Sequence, residues 1–149
     1  MYRAFLFLHI LCAVVGFGAV IIASPALSRA VRIGGEAGHA VFSSAKRQVM
    51  IAQPFIWLVF IFGLVIVFTS GHLDISAPWL SASMALFILM ILISLVVLMP
   101  ATNHMEKLFE AETAENSAEL DKLGKRLAAV GGVNHLIFVV ILALMIWKP

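Results

Sequence analysis

At 149 residues, 62% hydrophobic and 12% charged, with a mean hydropathy of +1.07, the chain has too little polar surface to cover a soluble globule of its size. A net charge of +2 argues against nucleic acid as a partner, and the single cysteine rules out an internal disulfide. The composition is that of an integral membrane protein whose first partner is the lipid bilayer.

The apolar residues fall into four blocks. The first, Ala4 to Leu27, holds no charge and one histidine. At ~1.5 Å per helical residue it can cross a ~30 Å hydrocarbon core. It is longer than a signal-peptide core, and Pro25 stands where a small-residue cleavage site would be needed, so it reads as a retained helix. Pro25 is expected to kink this helix rather than end it, and Gly34 with Gly35 to stop it. Glu36 to Arg47 then continues as a helical extension into the second crossing, which holds Gln53 and Pro54. A turn around Ser70, Gly71 and His72 leads to Pro78 and Trp79, where the third crossing begins. Beyond Pro100 the chain becomes charged but keeps helical spacing at Met105, Leu108, Phe109 and Glu112, as an amphipathic continuation does. Asn116 and Glu119 form a candidate capping box ahead of the fourth crossing.

These signals predict an all-α, polytopic membrane four-helix bundle of two helical hairpins with helical cytoplasmic extensions. It is expected to be a single transmembrane domain, 1–149, with membrane helices about 4–31, 48–70, 79–101 and 127–147 and cytoplasmic connectors about 32–47 and 102–126. The two long connectors carry Arg29, Arg32, Lys46, Arg47, Lys107, Lys122, Lys125 and Arg126, whereas Arg3 and Lys148 are the only basic residues elsewhere. By the positive-inside rule, both connectors are cytoplasmic and both termini lie on the outer face. Trp79 and Trp147 then sit at the outer interface. The halves are weakly alike: Ser24-Pro25-Ala26 closes the first crossing as Met99-Pro100-Ala101 closes the third.

Few residues in the blocks could carry chemistry. His9, Cys12, Gly16, Ala19 and Ala23 recur at three- and four-residue spacing and so share one helix face. Small residues on such a face let another helix come close. An imidazole on that seam needs a partner, either a carbonyl, a serine such as Ser81 or Ser83, or a haem or metal ion. His135 is a weaker candidate ligand. With Asn134 beside it and Gln53 entering from the same side, it is expected to join a buried polar cluster of helix-packing hydrogen bonds. His9 and His135, counted from opposite faces, stand on the order of 10 Å apart in depth, which argues against one shared haem. On the connector, His104, Glu106 and Glu110 could meet a metal, while His39, like His104, is expected on the cytoplasmic side. The methionines read as core filling. No phosphate-binding glycine loop, cysteine pair or nucleophile elbow is present, and no catalytic residue is assigned.

Leu8-His9-Ile10-Leu11 with Gly16-Phe17-Gly18, then Gln53-Pro54 and Gly63, Pro78-Trp79-Leu80, Pro100-Ala101 and the terminal Met145-Ile146-Trp147-Lys148-Pro149 stand in an order that resembles a group of bacterial four-helix membrane proteins catalogued as a domain of unknown function. The resemblance covers nearly the whole chain. More distantly the chain resembles HemJ-type protoporphyrinogen oxidases and CopD-type copper-resistance proteins. The oxidase comparison implies haem b on the first-helix histidine, here His9. It also implies a lysine after the Trp-Leu pair and Asn-Glu opening the fourth helix. This chain has Trp79-Leu80-Ser81-Ala82-Ser83 and Asn134-His135 there, and both departures count against oxidase activity.

The expected function is therefore a non-enzymatic protein, or an accessory subunit of the bacterial cytoplasmic membrane, whose small-residue faces pack against a second copy or a larger complex. The alternative is a haem b-binding redox protein using His9. A copper or small-solute carrier ranks third, because the blocks hold too few charged residues to line a path.

Overall fold

Lipid offers backbone groups no hydrogen bonds, so an apolar chain crossing it closes its N–H and C=O groups within helices. The computed structural model, which describes residues 2–71, 77–111 and 116–147, is built in that way. Helix α1 runs Tyr2–Ile33 and α2 runs Gly35–Ser70. The third crossing is α3, Pro78–Ile93, then a π-helical turn, Ser94–Leu98, and α4, Met99–Ala111. Helix α5 runs Ser117–Trp147. The four resulting rods are each long and apolar enough to span a membrane. His72, Asp74, Glu112, Glu115, Lys148 and Pro149 lie outside the described residues.

Helix α1 passes through Pro25 without ending and stops at Gly34. Gly34 and Gly35 have φ of 66° and 56°, left-handed values that cost other residues roughly 1–2 kcal/mol each. The Gly34 N–H closes onto the Ala30 carbonyl at 3.0 Å, and the Gly34 carbonyl accepts the Gly38 N–H at 2.9 Å. The reversal is tight enough that α1 and α2 form one long hairpin. The second half differs at its proline. Pro100 has no N–H to give the preceding turn, and just before it the ladder widens, with the Met99 N–H donating to the Ser94 carbonyl five residues back. The first half has no such turn.

Helix α1 packs along α2, and α5 packs on both α1 and α3. Helix α4 meets α2 and α5, whereas α2 and α3 share no extensive contact. The bundle is thus closed at the end where the connectors lie and cleft between α2 and α3 towards the other end. At the connector end Phe42 and Met105 are fully buried with Ala23, Ala30, Ala45 and Phe109. These aromatic and thioether side chains belong to the charged stretches of the sequence, where the hydrophobic effect operates. A second cluster, deeper in the bundle, holds Cys12, Phe17, Val59, Phe87, Met90 and Ile141, and small residues let helices approach closely at both levels. A methyl group on Gly16 would stand 3.2 Å from the Ile56 backbone nitrogen, and one on Gly124 would stand 3.1 Å from Val31 Cγ2. Gly131 is similarly covered by Ser24.

Candidate functional site

The cleft between the hairpins is walled by α2 on one side and α3 on the other, with α1 and α5 at its back. Aromatic rings divide it. Phe17 of α1 stacks on Phe138 of α5 at 4.2 Å between centroids, and Phe60 of α2 stacks on Phe87 of α3 at 5.5 Å. Phe17 and Phe87 meet edge to face at 6.5 Å, which joins the two pairs into one partition. Phe17 and Phe138 line the cavities on both sides of it.

The cavity on the side of the chain ends, about 560 Å³, is lined by apolar side chains with His9, Ser83, Tyr2 and Trp79 among them. His9 reaches it from α1. Its Nδ1 lies 2.8 Å from the Val59 carbonyl oxygen on α2. A carbonyl can only accept, so Nδ1 carries the proton and Nε2 the lone pair. Nε2 has no hydrogen-bond partner among the described residues. Gly63 leaves room for the ring, since a methyl group there would stand 3.1 Å from His9 Cε1. Of the protein groups the sequence offers as partners, His9 Nδ1 meets the carbonyl. Ser83 instead donates to the Trp79 carbonyl of its own helix at 2.7 Å, and Ser81 to that of Ala77 at 3.3 Å. Cys12, one turn along α1 from His9, is a buried free thiol in the core that includes Val59 and Ile141.

The second cavity, about 550 Å³, faces the connectors and is lined by more polar side chains. Gln53, Asn134 and His135, which the sequence groups together, all line it, with Lys46, Asn103 and Ser94. Asn134 is buried and donates from Nδ2 to Ser94 Oγ at 3.0 Å. Ser94 Oγ in turn donates to the Met90 carbonyl at 2.9 Å. Among the described residues, Asn134 Oδ1 and His135 Nε2 are buried without a hydrogen-bond partner. Ser94 opens the π turn, so the irregular backbone sits beside the most polar part of the cleft. Sequence reasoning misses Ser94, although a lone serine six residues before a proline in an apolar run is a visible irregularity. Lys46 sits at the mouth, bonded to Glu106 at 2.5 Å and Asn103 at 3.2 Å. That contact ties α2 to α4 and neutralises the only charge lining this cavity.

His9 and His135 therefore belong to different cavities, separated by the phenylalanine partition. On the connector helices the candidate metal-binding side chains diverge. His104 Nε2 pairs with Glu119 at 2.8 Å, Glu106 pairs with Lys46, and His39 stacks on Phe109 at 5.8 Å. Among the described residues no group of three or more His, Cys, Asp or Glu side chains is placed to hold a metal ion.

The family model described as "Predicted integral membrane protein (DUF2269)" matches residues 4–149, and the chain belongs to that family. No curated protein and no solved structure matches it. The likeness to HemJ-type and CopD-type proteins rests on the sequence motifs alone.

Proposed function

We propose that this DUF2269 protein is a non-catalytic binding protein, or accessory subunit, of the bacterial cytoplasmic membrane that retains an apolar or amphipathic molecule in the cleft between its hairpins. The observation that carries the reading is the cleft itself. Each of its cavities falls in the ~300–1,000 Å³ range of small-molecule sites and combines apolar walls with a few convergent polar groups. The basic residues of the connectors support an orientation with both termini outside. The small-residue positions Gly16, Gly38, Gly63, Gly124 and Gly131 face other helices of the same chain. A second copy or larger assembly would therefore meet the outward apolar faces, where Phe68, Val96 and Leu136 are exposed, rather than the small-residue faces expected from sequence.

The test is native mass spectrometry of the full chain, purified in mild detergent and released from the micelle. A bound organic species at near one per chain is expected. A chain that carries none, and takes up none from added membrane lipid extract, refutes the reading. Labelling of single cysteines introduced at Arg3 and Lys125 in a Cys12→Ser background checks the orientation, with only the first expected to react from outside.

A second reading, a haem b protein, is favoured by the geometry of His9. Histidine ligands are typically held by a hydrogen bond from the other ring nitrogen, the arrangement that Val59 provides. Met84 and Met145 line the same cavity and would offer thioether sulfur to the group. When bound, haem would supply one-electron chemistry. His9 would fix its position, and the apolar walls would exclude water. Absorption spectra of oxidised and reduced protein, made with haem available, decide it. A stoichiometric Soret band that disappears in His9→Ala is expected on this reading, and a colourless protein ends it.

A further inference from the structure

We propose, building on the binding reading above, that the cavity on the side of the chain ends takes a lipid-soluble phenol of the hydroquinone class, its ring hydroxyl donating to His9 Nε2. Three observations define the head: one open acceptor, no charge around it, and an aromatic floor.

His9 Nδ1 lies 2.8 Å from the Val59 carbonyl oxygen and gives it the one proton of the neutral ring, so Nε2 can only accept. Among the described residues nothing bonds to Nε2. That nitrogen is also open. The unpartnered polar atoms shut off from any surface are Ser28 Oγ, Asn134 Oδ1 and His135 Nε2, and His9 Nε2 is not one of them. Towards α2 the ring turns Cε1 and Nδ1, which lie 3.1 and 3.4 Å from where a methyl group on Gly63 would stand, while Nε2 lies beyond 4 Å. The free nitrogen is therefore on the edge turned from Gly63, and the space that His9 lines is the cavity of about 560 Å³.

An acceptor in an apolar cavity is satisfied by a group that brings a proton. A quinone, an ester or an ether offers only oxygen lone pairs there. None of the described residues lining the cavity is charged, so a carboxylate, phosphate or ammonium head would enter without a counter-ion. A neutral O–H meets both conditions. The rest of the lining bears on what carries it: Phe17, Phe60, Phe87 and Phe138 form the floor, and Trp79 lines the same cavity. Aromatic rings favour edge-to-face and offset contacts with other rings, and a phenolic O–H is acidic enough to be a good donor. A hydroquinone combines the two on one neutral ring. Its apolar tail then lies along Leu64, Val67 and Leu142 of the same cavity. The site thus selects the reduced, hydroxyl-bearing form over the oxidised form, which has carbonyls alone.

The test uses the full-length protein in phosphatidylcholine nanodiscs, kept anaerobic, with its absorption spectrum recorded first. Decylubiquinol, its bis-O-methyl ether, decylubiquinone and oleyl alcohol are titrated separately, and uptake above that of empty nanodiscs gives each affinity. Decylubiquinol is expected to bind about tenfold or more tightly than its ether and than the quinone, the effect of one satisfied buried acceptor. It is also expected to bind more tightly than oleyl alcohol. In His9→Leu the quinol is expected to fall to the level of the ether, which itself binds as before.

Equal binding of quinol and ether to the unaltered protein overturns the proposal but leaves the broader binding reading standing. So does a quinol preference that survives in His9→Leu, or tighter binding of oleyl alcohol, which makes the occupant an aliphatic lipid. A stoichiometric Soret band lost in His9→Ala also overturns it, because Nε2 then belongs to haem iron. Binding of no probe, with another organic species retained by the purified chain, means that water satisfies Nε2 and ends the proposal alone. A protein that neither binds a probe nor retains any organic molecule overturns both. The comparison of probes on the unaltered chain holds even if His9→Leu does not fold.

Discussion

The imidazole of His9 donates from Nδ1 to the carbonyl oxygen of Val59 at 2.8 Å, linking α1 to α2 across a separation of 50 residues. Gly63, one turn beyond Val59, leaves the ring its space. A polar side chain on a lipid-buried face has thereby been converted into a contact within the first hairpin. Interhelical hydrogen bonds of this kind contribute about 0.6 kcal/mol on average and up to about 1.7 kcal/mol in membrane proteins. His9→Ala is expected to lower stability by about 1 kcal/mol, read from the midpoint of unfolding in mixed micelles. A variant as stable as the parent would show that the bond contributes nothing net.

Two glycines in helix interiors are expected to respond in opposite directions. A methyl group on Gly38 would stand 2.5 Å from the Ala30 carbonyl oxygen, a backbone atom that cannot swing away. Gly38→Ala should cost on the order of 1–3 kcal/mol through forced separation of α1 and α2. Gly18 has nothing within 4 Å, so Gly18→Ala should gain about 0.5–1 kcal/mol from helix propensity alone. Thermal unfolding of the two variants in one detergent checks the sign of each, and equal effects would contradict the packing described.

Phe42 has no exposed surface and lies 5.4 Å, ring to ring, from Phe109 in the connector-end core. Phe42→Ala should cost about 3–5 kcal/mol, as truncation of a buried aromatic does. Val96, 69% exposed on the outward face, should tolerate Ala within about 0.5 kcal/mol. Amide exchange would register the first change as faster opening around Ala45 and Met105. Unchanged exchange there would mean that this core does not hold the connectors together.

Lys46 and Glu106 are partly exposed, at 21% and 34% of their side chains, so their attraction is screened. A double-mutant cycle with Lys46→Met and Glu106→Gln should return a coupling of about 0.5–1 kcal/mol that shrinks in high salt. A larger, salt-independent coupling would indicate a pair shut away from water.

The features readable from sequence were those that depend on local order. Four apolar blocks, the stop at Gly34 and Gly35, the passage through Pro25, and the face shared by Cys12, Gly16 and Ala23 all follow from periodicity and backbone preference. Each describes one helix and what it must bury. The need of His9 for a partner was equally legible, because an imidazole in an apolar block has nowhere else to turn. Gln53, Asn134 and His135 could be grouped because each enters its crossing from the same end.

What the sequence alone determined, then, is a four-helix membrane protein and one small-residue face on its first helix, because hydrophobic length and small side chains act within each helix. Which helix each face meets was decided only by the tertiary structure. Ser81 and Ser83 turn to their own backbone, and His9 to Val59 on α2. Gly16, Gly38, Gly63, Gly124 and Gly131 turn inward against the same chain. The cleft depends on the same long-range choice, because α5 takes the contacts to α1 and α3 while α2 and α3 share no extensive contact. Its partition by Phe17, Phe138, Phe60 and Phe87 unites residues from four helices, and no periodicity along one helix records which rings will meet across a bundle.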